Sequence, residues 1–362
     1  MNGLSSSSGR KGRSRAQERR SPIDETTSVA FGPRTPRDRA TLRFVATPQD
    51  ANVSGEYVAA GSILEWIDKA GYVCAVGWSS TYCVTAYVGN VHFTRPVRPG
   101  HLMEATAQIV HTGRTSMQVL VRLTSTDIRH DDPQQAMHCL LVFVAVDAAG
   151  HPVTVPQWSP QNDADRTLHE NAMQRVAVRQ QIREEMQSAT FSDNGSAPRV
   201  VLRQLALPRV ANFGGKVHGG TVMRWINEAA YAVAVGWSSE RAAAVYTGGI
   251  HFHRPIRIGH LVEIDARLMR TEAELMHISV HVRSTDPRRP DEPALATQCV
   301  AIFAERGEPQ SHLKHLPLLT AEDRALDALA QRLQSMREAL PRVPEGRRAP
   351  LAAPDPLPDG PS

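Results

Sequence analysis

Asp68 and Asn227 hold equivalent places in two long copies of one sequence, and only one of them can do proton chemistry. Gly61 to Glu104 and Gly220 to Glu263 align without a gap at a spacing of 159 residues, with 22 of 44 positions identical. A repeat this long is a duplicated domain rather than a solenoid unit. A few chemically loaded positions differ between the copies. Asp68 answers to Asn227, and His218-Gly219-Gly220 answers to Ala59-Ala60-Gly61. Asn52 and Asn212 each lie in a Gly-bearing loop upstream, the first loop one residue longer. A carboxylate can take a proton from water or attack a carbonyl carbon, whereas an amide cannot accept a proton. Glycines at a helix start let a substrate approach N–H groups that can hold a developing oxyanion. Blander readings stand beside these. Asp68, between Glu65 and Lys69, also suits a solvated helix face, and Asn beside Gly suits a left-handed turn. His218 reads as a structural or positioning group rather than a base.

The elements that must position these residues follow the same order twice. A short alternating strand comes first, Ala40 to Val45 and Val200 to Leu205. The Asn loop follows, and then a helix that the cap types place near Ser62 or Thr221. Ile63, Leu64, Trp66, Ile67, Ala70, Val73 and Cys74 leave the first helix apolar on most sides, and its copy matches, so both are buried. Four strands follow in each half: Val84 to Phe93, Leu102 to Thr112, Ser116 to Ser125 and Met137 to Val146, then Ala243 to Phe252, Leu261 to Thr271, Met276 to Ser284 and Ala294 to Ala304. Antiparallel strands around one buried helix define an α+β layer architecture. Polar helical segments close the halves, Asp163 to Gln187 and Ala321 to Leu340.

Composition sets outer bounds. The 362 residues suit two ordinary domains plus tails. Net charge is +4 and Lys occurs only at 11, 69, 216 and 314, an Arg bias too mild to imply a nucleic-acid surface. Cys74, Cys83, Cys139 and Cys299 fall in apolar runs without ligand spacing and read as buried reduced thiols. No apolar run approaches the roughly 18 residues a membrane span needs. The Ser-, Arg- and Gly-rich start reads as a disordered tail, with a faint transit-peptide character over Arg10 to Arg20, and the Pro-rich end reads as unstructured. His251 and His253 share a strand face without an evident third metal ligand, which makes them structural histidines.

One strand, one buried helix and a curled antiparallel sheet is the hotdog order. Asn212-x-x-Gly215-x-x-His218-Gly219-Gly220 leads into the second helix, and His251-Phe252-x-Arg254-Pro255-x-x-x-Gly259 follows it. With these motifs the chain resembles double-hotdog acyl-CoA thioesterases, the cytosolic brain-type acyl-CoA hydrolases and their bacterial relatives, over residues 40–340. The resemblance implies tandem hotdogs at 39–155 and 198–320, a helical linker at 156–197, a C-terminal helix at 321–340, and tails at 1–38 and 341–362. It implies hotdogs paired back to back, with each site shared between them.

A residue such as Asn227, seven positions after Gly220, lies about 10 Å along its own helix, so a group there serves the partner's helix start. The resemblance then gives two unequal sites. One joins Asp68 to Asn212 and His218-Gly219-Gly220. The other, a degenerate pseudosite, joins Asn227 to Asn52 and lacks a carboxylate. In the first, the thioester oxygen accepts from the N–H of Gly220 or its neighbour, Asn212 orients water or carbonyl, and Asp68 is general base or nucleophile. Arg95 and Arg254 contact CoA phosphates or cap the sheet. The implied activity is hydrolysis of fatty acyl-CoA without cofactor or metal, in lipid metabolism, by a cytoplasmic homo-oligomer, a trimer or dimer of double hotdogs. Two competitors remain. A hotdog hydratase or dehydratase needs an Asp–His pair, and none stands in matching places. A non-catalytic acyl-CoA-binding regulatory protein is the other.

Overall fold

Ala40, Leu42 and Phe44 alternate with exposed Arg39, Thr41 and Arg43, which makes the first described segment a half-buried edge strand. The computed structural model describes residues 36–130, 132–188, 192, 194–305 and 313–340. Both expected tails lie outside them, apart from residues 36–38. The first half runs β1 (Arg39–Val45), α1 (Ala60–Ser79), β2 (Cys83–Val88), β3 (Val91–His92), β4 (His101–Thr112), β5 (Ser116–Asp127) and β6 (Gln134–Ala145). Helix α2 (Asp163–Ser188) connects to the second half: β7 (Arg199–Leu205), α3 (Gly219–Trp237), β8 (Ala242–Phe252), β9 (Leu261–Glu272), β10 (Leu275–Thr285), β11 (Ala294–Glu305) and α4 (Ala321–Glu338).

Two boundaries differ from expectation. The strand expected over Val84 to Phe93 is broken in two at Gly89 and Asn90. Both buried helices begin two residues early, capped by Ala59 and His218 in extended conformation. The hydroxyls that suggested later starts are spent elsewhere: Ser62 donates to the carbonyl of Asp50 at 3.2 Å, and Thr221 to Glu65 Oε1 at 2.9 Å.

The eleven strands form one sheet in the order β1-β4-β5-β6-β2-β8-β11-β10-β9-β7, with β3 also on β8. The hotdogs therefore join edge to edge through β2, β3 and β8 rather than back to back. At this seam Tyr87 faces His251, Val88 faces Ile250, Val91 faces Thr247 and His92 faces Tyr246. The register is symmetric under the repeat spacing, so a pseudo-twofold axis crosses the seam between Gly89-Asn90 and Gly248-Gly249.

Helices α1 and α3 pack antiparallel on one face of this sheet. Leu64, Ile67, Met223 and Ile226 are fully buried there. The approach is closest where a glycine of each helix meets the other. A Cβ on Gly220 would lie 2.8 Å from Glu65 Cα, and one on Gly61 would lie 3.1 Å from Arg224 Cα. These two contacts are pseudo-twofold mates.

The opposite face of the sheet is covered as well. Ile182 and Met186 of α2 and Leu326, Leu329 and Leu333 of α4 form a second apolar cluster with Tyr246, Val300 and Ile302. Each outer helix is anchored at its start by a buried aspartate. Asp165 accepts from Gln108 Nε2 at 2.7 Å, and Asp323 accepts from Ser196 Oγ at 2.6 Å. All four cysteines are free and buried. Among the described residues no helix is long and apolar enough to cross a membrane.

Candidate active site

Asp68 sits two turns into α1, with its side chain aimed across the helix pair at the start of α3. It is 1% exposed. Its Oδ2 accepts the N–H of Gly220 at 2.7 Å, and its Oδ1 accepts the Thr85 hydroxyl at 2.7 Å. His218 Nδ1 lies 3.1 Å from both Asp68 Oδ2 and the Gly220 nitrogen. The Gly220 N–H is thus shared, donating to Asp68 Oδ2 and to the capping His218 Nδ1. The fusion of two halves is what makes this possible, since Asp68 and Thr85 come from the first hotdog and His218-Gly219-Gly220 from the second.

Burial pushes the Asp68 carboxyl above the usual carboxylate range. The positive charge of His218, the Thr85 hydroxyl and the Gly220 N–H oppose that push, and the charge of Glu65 adds to it. A carboxyl poised above its ordinary range is suited to accept a proton near neutral pH.

The surrounding cavity is about 1090 Å³ and is shared by both halves. Asp68, Thr85, Asn212, His218, Gly219 and Arg254 line it. Gly219 marks its reactive corner, because a Cβ there would lie 3.1 Å from both Asp68 Oδ2 and Thr85 Oγ1. An atom of a bound molecule resting on Gly219 therefore meets carboxylate and hydroxyl together. Asn212 is in the cavity wall but also shapes its own loop, its Oδ1 accepting from the N–H groups of Gly214 at 3.0 Å and Lys216 at 3.1 Å. The loop is pressed onto the first hotdog by aromatics. Phe213 stacks on Tyr72 at 6.0 Å, and Tyr72 meets Tyr82 edge-on at 6.3 Å.

Three expectations need correction. Gly220 was one of two candidates for the oxyanion donor, and its N–H is already held by Asp68. The second pocket, about 780 Å³, does contain carboxylates: Glu56, Glu228 and Glu240, all exposed and lining its walls with Asn52, Asn227 and Arg95. Its deep position is the amide, as expected, and the Asn227 Nδ2 is buried without a partner. Finally, an Asp–His pair, which the sequence had not disclosed, is present as Asp68 and His218.

Arg95 and Arg254 part company, since Arg254 lines the Asp68 cavity while Arg95 lines the other and donates to Gln134 Oε1 at 2.6 Å. Among the described residues no group of three His, Cys, Asp or Glu converges on a metal position. Thr85 was missed. A threonine in an apolar strand carries no signal alone, but its copy is Ala244. The loss of Thr85 and Asp68 together in the second half was the readable clue.

Residues 55–130 and 214–290 each match the family model described as the thioesterase superfamily. The chain is 28% identical over 143 residues to protein VdlD of Helicobacter pylori, covering 40% of this chain and 81% of that one. It is 24% identical over 268 residues to the mouse cytosolic acyl coenzyme A thioester hydrolase, covering 68% of each. Among solved structures, a Lactobacillus plantarum protein assigned as an oleoyl thioesterase matches with a TM-score of 0.52 and 9% identity, over 75% of this chain and 97% of that one. That last likeness is one of fold. The fold and site define a tandem-hotdog protein in which each half supplies part of one site. The family model that a segment of each hotdog matches is that of the thioesterase superfamily.

Proposed function

We propose that the chain is an acyl-CoA thioesterase, hydrolysing fatty acyl-CoA to fatty acid and CoA at the Asp68 site alone. The observation that carries this is the Asp68 carboxylate seated on the α3 start of the other hotdog, inside a cavity both halves line. The names of similar proteins, mouse cytosolic acyl coenzyme A thioester hydrolase among them, support the same reading. The thioester carbonyl rests on Gly219, whose N–H at the positive end of α3 receives the oxyanion. Asp68 takes a proton from water, the hydroxide adds to the carbonyl carbon, and the C–S bond breaks. The departing CoA thiolate recovers the proton from Asp68. Thr85 and Gly220 hold the carboxylate in place, and Asn212 positions the water or carbonyl. Arg254 meets the phosphates of CoA. The reaction uses neither cofactor nor metal. The reading includes a cytoplasmic homo-oligomer, a trimer or dimer of double hotdogs.

Thiol release from a panel of short- to long-chain acyl-CoAs tests it. Wild-type protein is expected to release stoichiometric thiol. Acyl-CoA binding without thiol release would instead favour a binding protein. Loss of enoyl absorbance from a 2-enoyl-CoA would favour a hydratase using the Asp68–His218 pair.

The pH profile tests the electrostatics separately. Activity needs Asp68 ionised, so the acid limb of kcat/KM lies above the ordinary carboxylate value of about 4. His218 lowers the Asp68 pKa and Glu65 raises it. His218→Ala therefore moves the limb to higher pH and Glu65→Gln moves it lower. Displacements in one common direction would show that the limb belongs to another group.

A further inference from the structure

On the outer face of the seam a second constellation survives in both halves, unlike the Asp68 site. Tyr87 and Tyr246 are repeat mates, as are His92 and His251. Each tyrosine meets the other half's histidine across the seam, Tyr87 with His251 at 4.5 Å between ring centres and Tyr246 with His92 at 5.2 Å. An arginine from an outer helix covers each tyrosine. Arg179 of α2 lies 5.1 Å from the Tyr87 ring centre, and Arg337 of α4 lies 5.0 Å from that of Tyr246. Both arginines stand 14 residues after their helix's anchoring aspartate, Asp165 or Asp323, so they too are mates. The whole group is twofold about the seam axis.

Its charge is unbalanced. Arg179 Nη1, Arg337 Nη2 and His251 Nε2 are buried without a hydrogen-bond partner. Among the described residues neither Arg179 nor Arg337 makes a salt bridge, and the exposed Arg183 one turn along α2 adds a further positive charge. Burial, with Arg183, His253 and Arg179 nearby, pushes His251 down to about 3, which leaves its imidazole neutral. Buried donors without acceptors cost stability, and like charges held together cost more. An incoming anion would supply the acceptors that these buried donors lack.

We propose that this twofold arginine–tyrosine–histidine group at the outer seam is a binding site for a phosphate-bearing anion, distinct from the Asp68 cavity. Guanidinium groups present paired donors that match phosphate oxygens, and they are already oriented by stacking on tyrosine. The site requires nothing of the thioesterase reading, because no residue of the Asp68 cavity takes part.

Thermal melts of the full chain with inorganic phosphate, pyrophosphate or ADP, each against KCl of equal ionic strength, provide the test. Pyrophosphate is expected to raise Tm saturably by several degrees at about a hundredfold excess over Kd. A response to ADP as well identifies a nucleotide-type ligand, and a response to inorganic phosphate as well identifies a single-phosphate one. The Arg179→Gln/Arg337→Gln double variant is expected to lose the shift, yet to melt at or above the wild type without anion, since repulsion is relieved. Asp68→Asn is expected to keep the shift in full. The proposal fails if KCl reproduces the shift, if none of the three anions binds saturably, or if the double variant still responds. It also fails if the double variant changes only the sedimentation coefficient, which would make the seam a contact between copies of the chain.

Discussion

Asp68→Asn should lower acyl-CoA turnover by about 10³-fold, the usual worth of a positioned proton acceptor, while Asn227→Ala stays within about twofold of wild type. The substitution keeps shape and hydrogen bonding, because the new amide oxygen can still accept the Gly220 N–H and its NH₂ can donate to Thr85. What it removes is basicity. Melting temperature should move the other way. The folded pKa of Asp68 lies above its unfolded value, so the stability it contributes is present at low pH and is lost as pH rises through the folded pKa. Above that folded pKa the ionised group is a burden, and there Asp68→Asn should melt higher than wild type. Steady-state thiol release together with melting curves above that pKa reads both effects. A variant that lost activity and stability together would mark Asp68 as a packing residue instead.

Gly220→Ala should cost at least about 10²-fold in kcat, the penalty expected when a reacting geometry shifts by an ångström. Its Cβ would stand 2.8 Å from Glu65 Cα and 3.2 Å from His218 Nδ1, and a backbone atom cannot swing aside. The helices must part, which loosens the Gly220 N–H from Asp68 one turn further along α1. Overpacking of this kind also costs about 1–3 kcal/mol of stability. Gly61→Ala makes the mate contact against Arg224 and should lose comparable stability while sparing more activity, since it opens the second pocket's side. Gly236→Ala, with nothing within 4 Å of the new methyl, is the control and should be neutral or slightly stabilising. Measured kcat and Tm for the three variants check the order. Equal activity losses at Gly61 and Gly220 would contradict a single working site.

The repeat made much of this readable. Asp68 against Asn227 and His218-Gly219-Gly220 against Ala59-Ala60-Gly61 stand out because an alignment within one chain exposes lost chemistry. Helix and strand order followed from periodicity, since Leu64, Ile67, Met223 and Ile226 must be buried on helices that are apolar nearly all round. The helix starts were misplaced because residue type misleads there. Ser62 and Thr221 look like caps but spend their hydroxyls on other elements, while Ala59 caps through backbone geometry alone and His218 through its ring nitrogen. The edge-to-edge seam was not legible, because pairing between halves depends on long-range register and not on any local signal. Nor was the outer placement of α2, whose weakly amphipathic sequence gives little hint of the face it covers.

The joining of both hotdogs in one chain has a consequence for concentration and for drift. A site assembled from two separate subunits falls apart on dilution, and every substitution in the gene strikes both of its copies at once. Here α2 tethers the halves, so the helix α1 that carries Asp68 always finds the α3 start that receives it, however dilute the protein. The same tether lets Asn227 and Ala244 change without touching Asp68 and Thr85. One half is thereby free to keep the reaction while the other explores a different ligand.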